Sequence, residues 1–150
     1  MARKTQNGTQ RDRREQDGVS ILHLEGRVTF GPEDNVLNDE IRHALASRRI
    51  RLVIDLGGVD RMDSAALGTL LYARAELRRA GGGLALANLH PAHVRTLLVA
   101  KLETVFPVFS NELDAVNSFF PDRSVPRCDL PAMLTSMRQG RAGAGPQDLR

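Results

Sequence analysis

LVIDLGGVDRMDSAALGTLL, residues 52–71, is the stretch whose reading decides the fold. With Arg51 it opens as RLVIDL, a short apolar run with β-branched residues. That is the pattern of a central strand buried on both faces. Gly57 and Gly58 then predict a tight turn, and VDRM, residues 59–62, a short connector. From Ser64 onward Leu67, Leu70, Leu71, Ala75 and Leu77 mark out the apolar stripe of a helix, and Gly81-Gly82-Gly83 stops it.

The same alternation continues outward in both directions. Toward the N-terminus, Val19, Ile21 and His23 alternate with Ser20, Leu22 and Leu24 in a short strand that ends at Gly26. A loop from Gly26 to Pro32 follows. Asp34 is placed to cap a helix with Val36, Leu37, Ile41, Ala44 and Leu45 inward. Toward the C-terminus, LALAN (84–88) reads as a strand and Pro91 as a first helical residue, with Val94, Leu97 and Leu98 buried. VFPVF (105–109) reads as an edge strand, because Pro107 has no amide to give a ladder. Ser110 is placed to cap a last helix with Leu113, Val116, Phe119 and Phe120 inward. Strand and helix in alternation predict an α/β domain over residues 18–120. Its sheet is expected to be mostly parallel or mixed, with four to five strands and about four helices.

The chain has 150 residues, 41% of them hydrophobic, enough for one domain and one core. Its net charge of +3 resides in the ends: residues 1–17 and 121–150 each carry five basic and three acidic side chains. Both segments are expected to be disordered, the first because it is almost wholly polar, the second because of its prolines and the run GRAGAG. A basic tail can touch nucleic acid or an acidic partner, but the mixed signs favour a solvated tail and no direct nucleic-acid contact. Leu130, Met133, Leu134 and Met137 could form one short amphipathic turn, docked onto the domain or a partner, with a frayed turn the favoured reading. No stretch has the ~18 apolar residues of a membrane span, and the basic start has no apolar segment behind it, so no secretory signal is expected. Cys128 is the only cysteine, which excludes an intrachain disulfide and fits a reducing, cytoplasmic setting.

Catalytic chemistry finds little support. His90 and His93 stand three apart at a helix start with no third ligand near, so they read as exposed residues and no metal site is expected. The triple glycine follows a helix and precedes a strand, the wrong order for a phosphate loop, and no GxxxxGK[ST] or helix-opening GxGxxG occurs. No cofactor is expected and the protein is read as a non-enzyme. What remains is Asp63-Ser64 at a helix start. Ser64 is a good N-cap type, and the small Ala65, Ala66 and Gly68 leave the backbone open to close approach. On these residues alone two readings stay open. Ser64 is a helix cap with small residues packing on the sheet, or the turn is a surface that another molecule meets.

These residues also resemble a signature. LVIDL followed by a connector and Asp63-Ser64-Ala65-Ala66-Leu67-Gly68 is similar to the D-S-S-G-L-G pattern of STAS domains, in particular bacterial anti-sigma factor antagonists. EGRVT (25–29), AGGGLALANL (80–89) and KLETVFPVFSNELDAVNSF (101–119) extend the resemblance over about residues 18–120. It implies the STAS fold and a partner-switching role. In such systems the antagonist binds an anti-sigma factor that is also a GHKL-type serine kinase, and so frees a sigma factor. The kinase then inactivates the antagonist by phosphorylation, and a serine phosphatase resets it. By this resemblance Ser64 is the phosphate acceptor. Asp63, Ser64, Ala65 and Gly68, with Thr29, Phe30 and Gly31 of the early loop, form the partner-binding surface. A stressosome-like scaffold or a lipid-transport assembly is the alternative that the same fold implies. The chain departs from the pattern at Ala65-Ala66, which replace the usual serine and glycine. Alanine favours helix over glycine by about 1 kcal/mol, so a stiffer helix start is expected.

Overall fold

The computed structural model describes residues 3–4, 10–28, 36–102, 104–126 and 130–132. In chain order these form β1 (Arg3–Lys4), β2 (Gln10–Gln16), β3 (Val19–Val28), α1 (Val36–Ala46), β4 (Arg51–Met62), α2 (Ser64–Arg79), β5 (Gly83–Ala87), α3 (Pro91–Val99), β6 (Val108–Phe109) and α4 (Glu112–Asn117). The strands make one mixed sheet whose spatial order follows the chain from β1 to β6. β1, β2 and β3 are antiparallel neighbours, and β3 to β6 run parallel. Each parallel step needs a crossover, and α1, α2 and α3 supply the three.

The pleat's period of two sorts the strand side chains onto two faces. Leu22, Leu24, Leu52, Ile54, Leu84 and Leu86 point into the larger core, where Leu37 and Ile41 of α1, Leu70 and Leu77 of α2, and Val94 and Leu97 of α3 meet them. Val19, Ile21, Val53, Ala85, Ala87 and Phe109 make the smaller core, covered by Ala115 and Val116 of α4 with Phe119 and Phe120 behind them. β4 and β5 are thus buried on both faces, which is why RLVIDL and LALA read as continuous apolar runs. Gly82 closes the turn between α2 and β5 against Ile50. A Cβ there would fall 1.8 Å from the Ile50 carbonyl oxygen, so only glycine fits.

The structure departs from the sequence reading at both ends. Residues 10–16, expected in a disordered tail, are β2, paired along their whole length with β3 from Gln10↔Glu25 to Gln16↔Val19. QRDRREQ has no apolar position, so hydrophobic periodicity carries no signal for it. Its contribution is charge: Arg11 and Arg13 ion-pair at 2.9 and 3.0 Å with the buried Glu40 of α1. This addition raises the expected four to five strands to six among the described residues. Beyond α4, Leu130 is 2% exposed and joins the larger core, where a disordered tail was expected from Pro121 onward. Residues 133–150 lie outside the described residues, as does the expected cap Asp34.

Inside the domain, Gly57-Gly58 does not turn. β4 runs on to Met62 and keeps its pairing with β3 through Gly58↔Glu25 and Met62↔Val28, with two register irregularities. Gly58 permits this, since a Cβ there would lie 2.6 Å from Glu25 Cγ. The last strand is shorter than VFPVF: Leu86 N–H donates to the Pro107 carbonyl at 2.9 Å, but only Val108 and Phe109 pair in the ladder. Asn111, not Ser110, caps α4, its Oδ1 accepting from the Asp114 amide at 2.8 Å. Leu71, Ala75 and Leu113, expected inward, are exposed; the inward face of α2 is Ala66, Leu67, Leu70, Ala73 and Leu77. Among the described residues no helix is long and apolar enough to cross a membrane.

Two stability predictions follow from this packing. A chain beginning at residue 18 keeps Glu40 but loses Arg11 and Arg13, and removing the partners of a buried charge costs about 3–5 kcal/mol. Its denaturant midpoint should fall well below that of the full chain; equal midpoints would contradict the role given to β2. The second concerns His93, expected at an exposed helix start but only 3% exposed, with neither ring nitrogen hydrogen-bonded among the described residues. Burial first, and the neighbouring His90 second, hold its pKa below the ordinary histidine value. Unfolded, the ring takes up a proton at about pH 6.5, so below that pH the unfolded state binds more protons than the folded one. The stabilising effect of a neutral His93 is therefore present above the unfolded pKa and lost as pH falls toward the folded one. Between pH 7.5 and 5.5 the wild type should lose more stability in urea than His93→Leu does.

Candidate functional site

α2 begins where the ladder between β3 and β4 ends. Met62 is the last paired residue of β4, and Asp63 stands extended at φ −93° and ψ 175° before the first helical turn. Its Oδ1 accepts from the Ala66 amide at 2.9 Å, and its carbonyl accepts from the amides of Ala66 and Leu67 at 3.1 and 3.3 Å. Asp63 is therefore the N-cap and Ser64 the first residue of the helix proper, a correction to the capping role assigned to Ser64 from sequence. Both residue types cap well, so composition does not choose between them. The choice falls to the residue at which the chain leaves the sheet. A carboxylate in this position also meets the positive end of the helix dipole.

The first turn divides by face. Ala66 and Leu67 are 1% and 5% exposed and pack into the larger core, while Ala65 and Gly68 are exposed. A Cβ added at Gly68 would meet nothing within 4 Å. Steps of three and four residues carry the same outer face on to Leu71, Tyr72 and Ala75, all exposed, with Tyr72 53% exposed. Thr69 is buried and turns its hydroxyl back to the Ala65 carbonyl at 3.2 Å, which leaves it out of that face. The outcome is a strip of small and apolar side chains that starts at the capped helix end.

Of the residues singled out from sequence, the structure brings Asp63, Ser64, Ala65 and Gly68 together on this turn. Thr29, Phe30 and Gly31 lie outside the described residues. β3 is paired up to Val28, whose register partner is Met62, one residue before Asp63. Leu71 and Tyr72 were not foreseen as surface residues of the strip. The signal for them is the helical phase: once Ala66, Leu70, Ala73 and Leu77 are taken as the inner face, Tyr72 falls opposite.

Comparison with known proteins adds to this geometry. A family model described as the STAS domain matches residues 10–115. The chain is 32% identical over 104 residues to BtrV, a candidate anti-sigma factor antagonist of Bordetella bronchiseptica, the match covering 69% of this chain and 88% of that one. It is 28% identical over 100 residues to the anti-sigma F factor antagonist of Paenibacillus polymyxa, covering 66% and 85%. The fold superposes on the crystal structure of an anti-sigma factor antagonist from Mycobacterium paratuberculosis with a TM-score of 0.67 at 23% identity, covering 77% of this chain and 97% of that one.

The division of labour at the helix start has a measurable consequence. Asp63→Ala removes the capping oxygen and should cost about 1 kcal/mol, whereas Ser64→Ala, one residue inside the cap, should change stability by less than about 0.5 kcal/mol. Thermal melts of the two variants test this, and a larger loss for Ser64→Ala would return the cap to Ser64.

Proposed function

The chain belongs to the STAS domain family, and from that premise we propose that it is an anti-sigma factor antagonist. It acts by binding rather than by catalysis. Its partner is an anti-sigma factor of the GHKL serine-kinase type, and binding releases a sigma factor. Phosphorylation at Ser64 ends the interaction and a serine phosphatase restores it. The partner meets the outer face of α2 from Asp63 through Ala65 and Gly68 to Leu71 and Tyr72, together with Thr29, Phe30 and Gly31. The observation that carries this reading is the exposure of the small Ala65 and Gly68 at the start of α2, where a serine occupies the first helical position.

The physical case for a switch at Ser64 rests on the size of the competing terms. Phosphate adds about −1.5 to −2 charge at neutral pH. At the first residue of a helix that charge is favourable by about 0.3–1 kcal/mol, offset in part by the neighbouring Asp63 carboxylate. The fold therefore tolerates the modification. A partner surface does not, unless it offers a cation, because burying an unpaired dianion costs several kcal/mol. A loss of about 4 kcal/mol weakens a complex about a thousandfold.

Two substitutions at one position separate the terms. Ser64→Ala should bind the anti-sigma factor as tightly as wild type and accept no phosphate. Ser64→Asp should fold as well as wild type and bind at least tenfold more weakly. Gly68→Arg should abolish binding with little change in melting temperature. The measurements are affinity, melting temperature and mass spectrometry after incubation with the kinase. Phosphate on another residue, or undiminished binding by Ser64→Asp and Gly68→Arg, would overturn the proposal. Copurification with a transporter ATPase or a scaffold assembly in place of a kinase would favour the alternative named above.

A further inference from the structure

The alternation that builds the smaller core also places three potential ligands beyond it. His23 follows Val19 and Ile21 on the α4 face of β3, and Asp55 follows Val53 on the same face of β4. Glu112, the first residue of α4, comes down on them. His23 Nδ1 lies 3.4 Å from Asp55 Oδ2 and 4.0 Å from Glu112 Oε2, and one ligand atom from each of the three residues falls within 4.8 Å of the others.

Each group is held from behind. His23 Nε2 is 3.0 Å from Glu25 Oε2, a carboxylate that only accepts. The proton of the neutral ring therefore sits on Nε2, and the Nδ1 lone pair faces the two carboxylates. Asp55 is 4% exposed and accepts from the Gly57 amide at 2.8 Å and from Asn88 Nδ2 at 3.0 Å. Arg14 of β2 pairs with Glu112 Oε1, leaving Oε2 to face inward. A proton on His23 or shared between Asp55 and Glu112 holds these groups together, and a cation that displaces it meets one ligand atom from each of the three at once. The carboxylates of Glu25, Asp55 and Glu112 stand around the ring, with the guanidinium of Arg14 on Glu112.

We propose that His23, Asp55 and Glu112 form a binding site for a first-row divalent cation of the zinc class, which fastens α4 to β3 and β4. One imidazole nitrogen and two carboxylate oxygens are a ligand set that such ions accept, with water completing the shell. Bonds of about 2.0–2.1 Å in a tetrahedron put ligand atoms about 3.3 Å apart, so the 3.4 Å separation fits and the 4.0 Å separation needs a small shift. The outer partners Glu25, Asn88, Gly57 and Arg14 do what second-shell groups do at metal centres: they set the histidine tautomer and orient the carboxylates. The partly exposed His23 and Glu112 leave the ion a path from solvent. The ligands are 32 and 57 residues apart in the chain, so no sequence spacing announces the site.

The test uses the full chain, freed of metal with a chelator that is then removed, at pH 8. Calorimetric titration with Zn²⁺ should give one saturable site per chain, and Zn²⁺ should raise the melting temperature while equimolar Mg²⁺ does so much less. His23→Gln and Glu112→Gln should each weaken Zn²⁺ binding at least tenfold. His90→Ala, at the His90–His93 pair, should leave it unchanged. Histidine NMR provides an independent readout, in which Zn²⁺ should shift the Nδ1 resonance of His23. Absence of saturable binding, binding unaffected in both ligand variants, or loss confined to His90→Ala would each overturn the assignment.

Discussion

The parallel pairing of β3 with β4 is the constraint on which the rest depends. It runs from Ser20↔Leu52 to Val28↔Met62, far past the apolar run, and absorbs two register irregularities on the way. Where it stops, the chain leaves the sheet, so the ladder decides that Asp63 caps α2 and that Ser64 stands one residue inside. It also fixes the facing of both strands. Leu22 and Ile54 on one side seat the crossover helices, and Ile21 and Val53 on the other seat α4. A slip of one residue would exchange these sets.

Charge does at the N-terminal edge of the sheet what apolar side chains do at its centre. β2 has no hydrophobic residue to bury, yet it covers the edge of β3 and brings two guanidinium groups to Glu40, which is 6% exposed. An acidic side chain so placed on α1 would be costly without them. The pattern repeats nearby, where Arg14 meets Glu112 of α4 and Arg49 meets Glu15. β2 is therefore held by ladder hydrogen bonds and ion pairs instead of a share in the core.

α2 combines two demands on one helix. Its inner face is a regular core face, and its outer face is kept small at Ala65 and Gly68 and then apolar at Leu71 and Tyr72. Among the described residues, nothing in the packing requires the outer residues to be small or apolar. In the proposed function this is the face that the partner meets. The cap belongs to the neighbouring Asp63.

The sequence by itself determined the alternation of strand and helix, the double-sided burial of β4 and β5, the start of α2 within a residue and the cluster Asp63, Ser64, Ala65 and Gly68. These are local properties, written in periodicity and in the residue types that open and close helices. It was silent on β2, because a strand made of arginines, acids and glutamines has no hydrophobic period. It misread Gly57-Gly58, because a glycine pair marks a turn and a close strand approach equally well, and only the presence of Glu25 beside Gly58 distinguishes them. Which side chains of α2 face out, and the meeting of His23, Asp55 and Glu112, were decided by tertiary structure alone. Helix phase is set by what the helix lies against, and residues distant in the chain become neighbours only when the sheet's register brings them to one face.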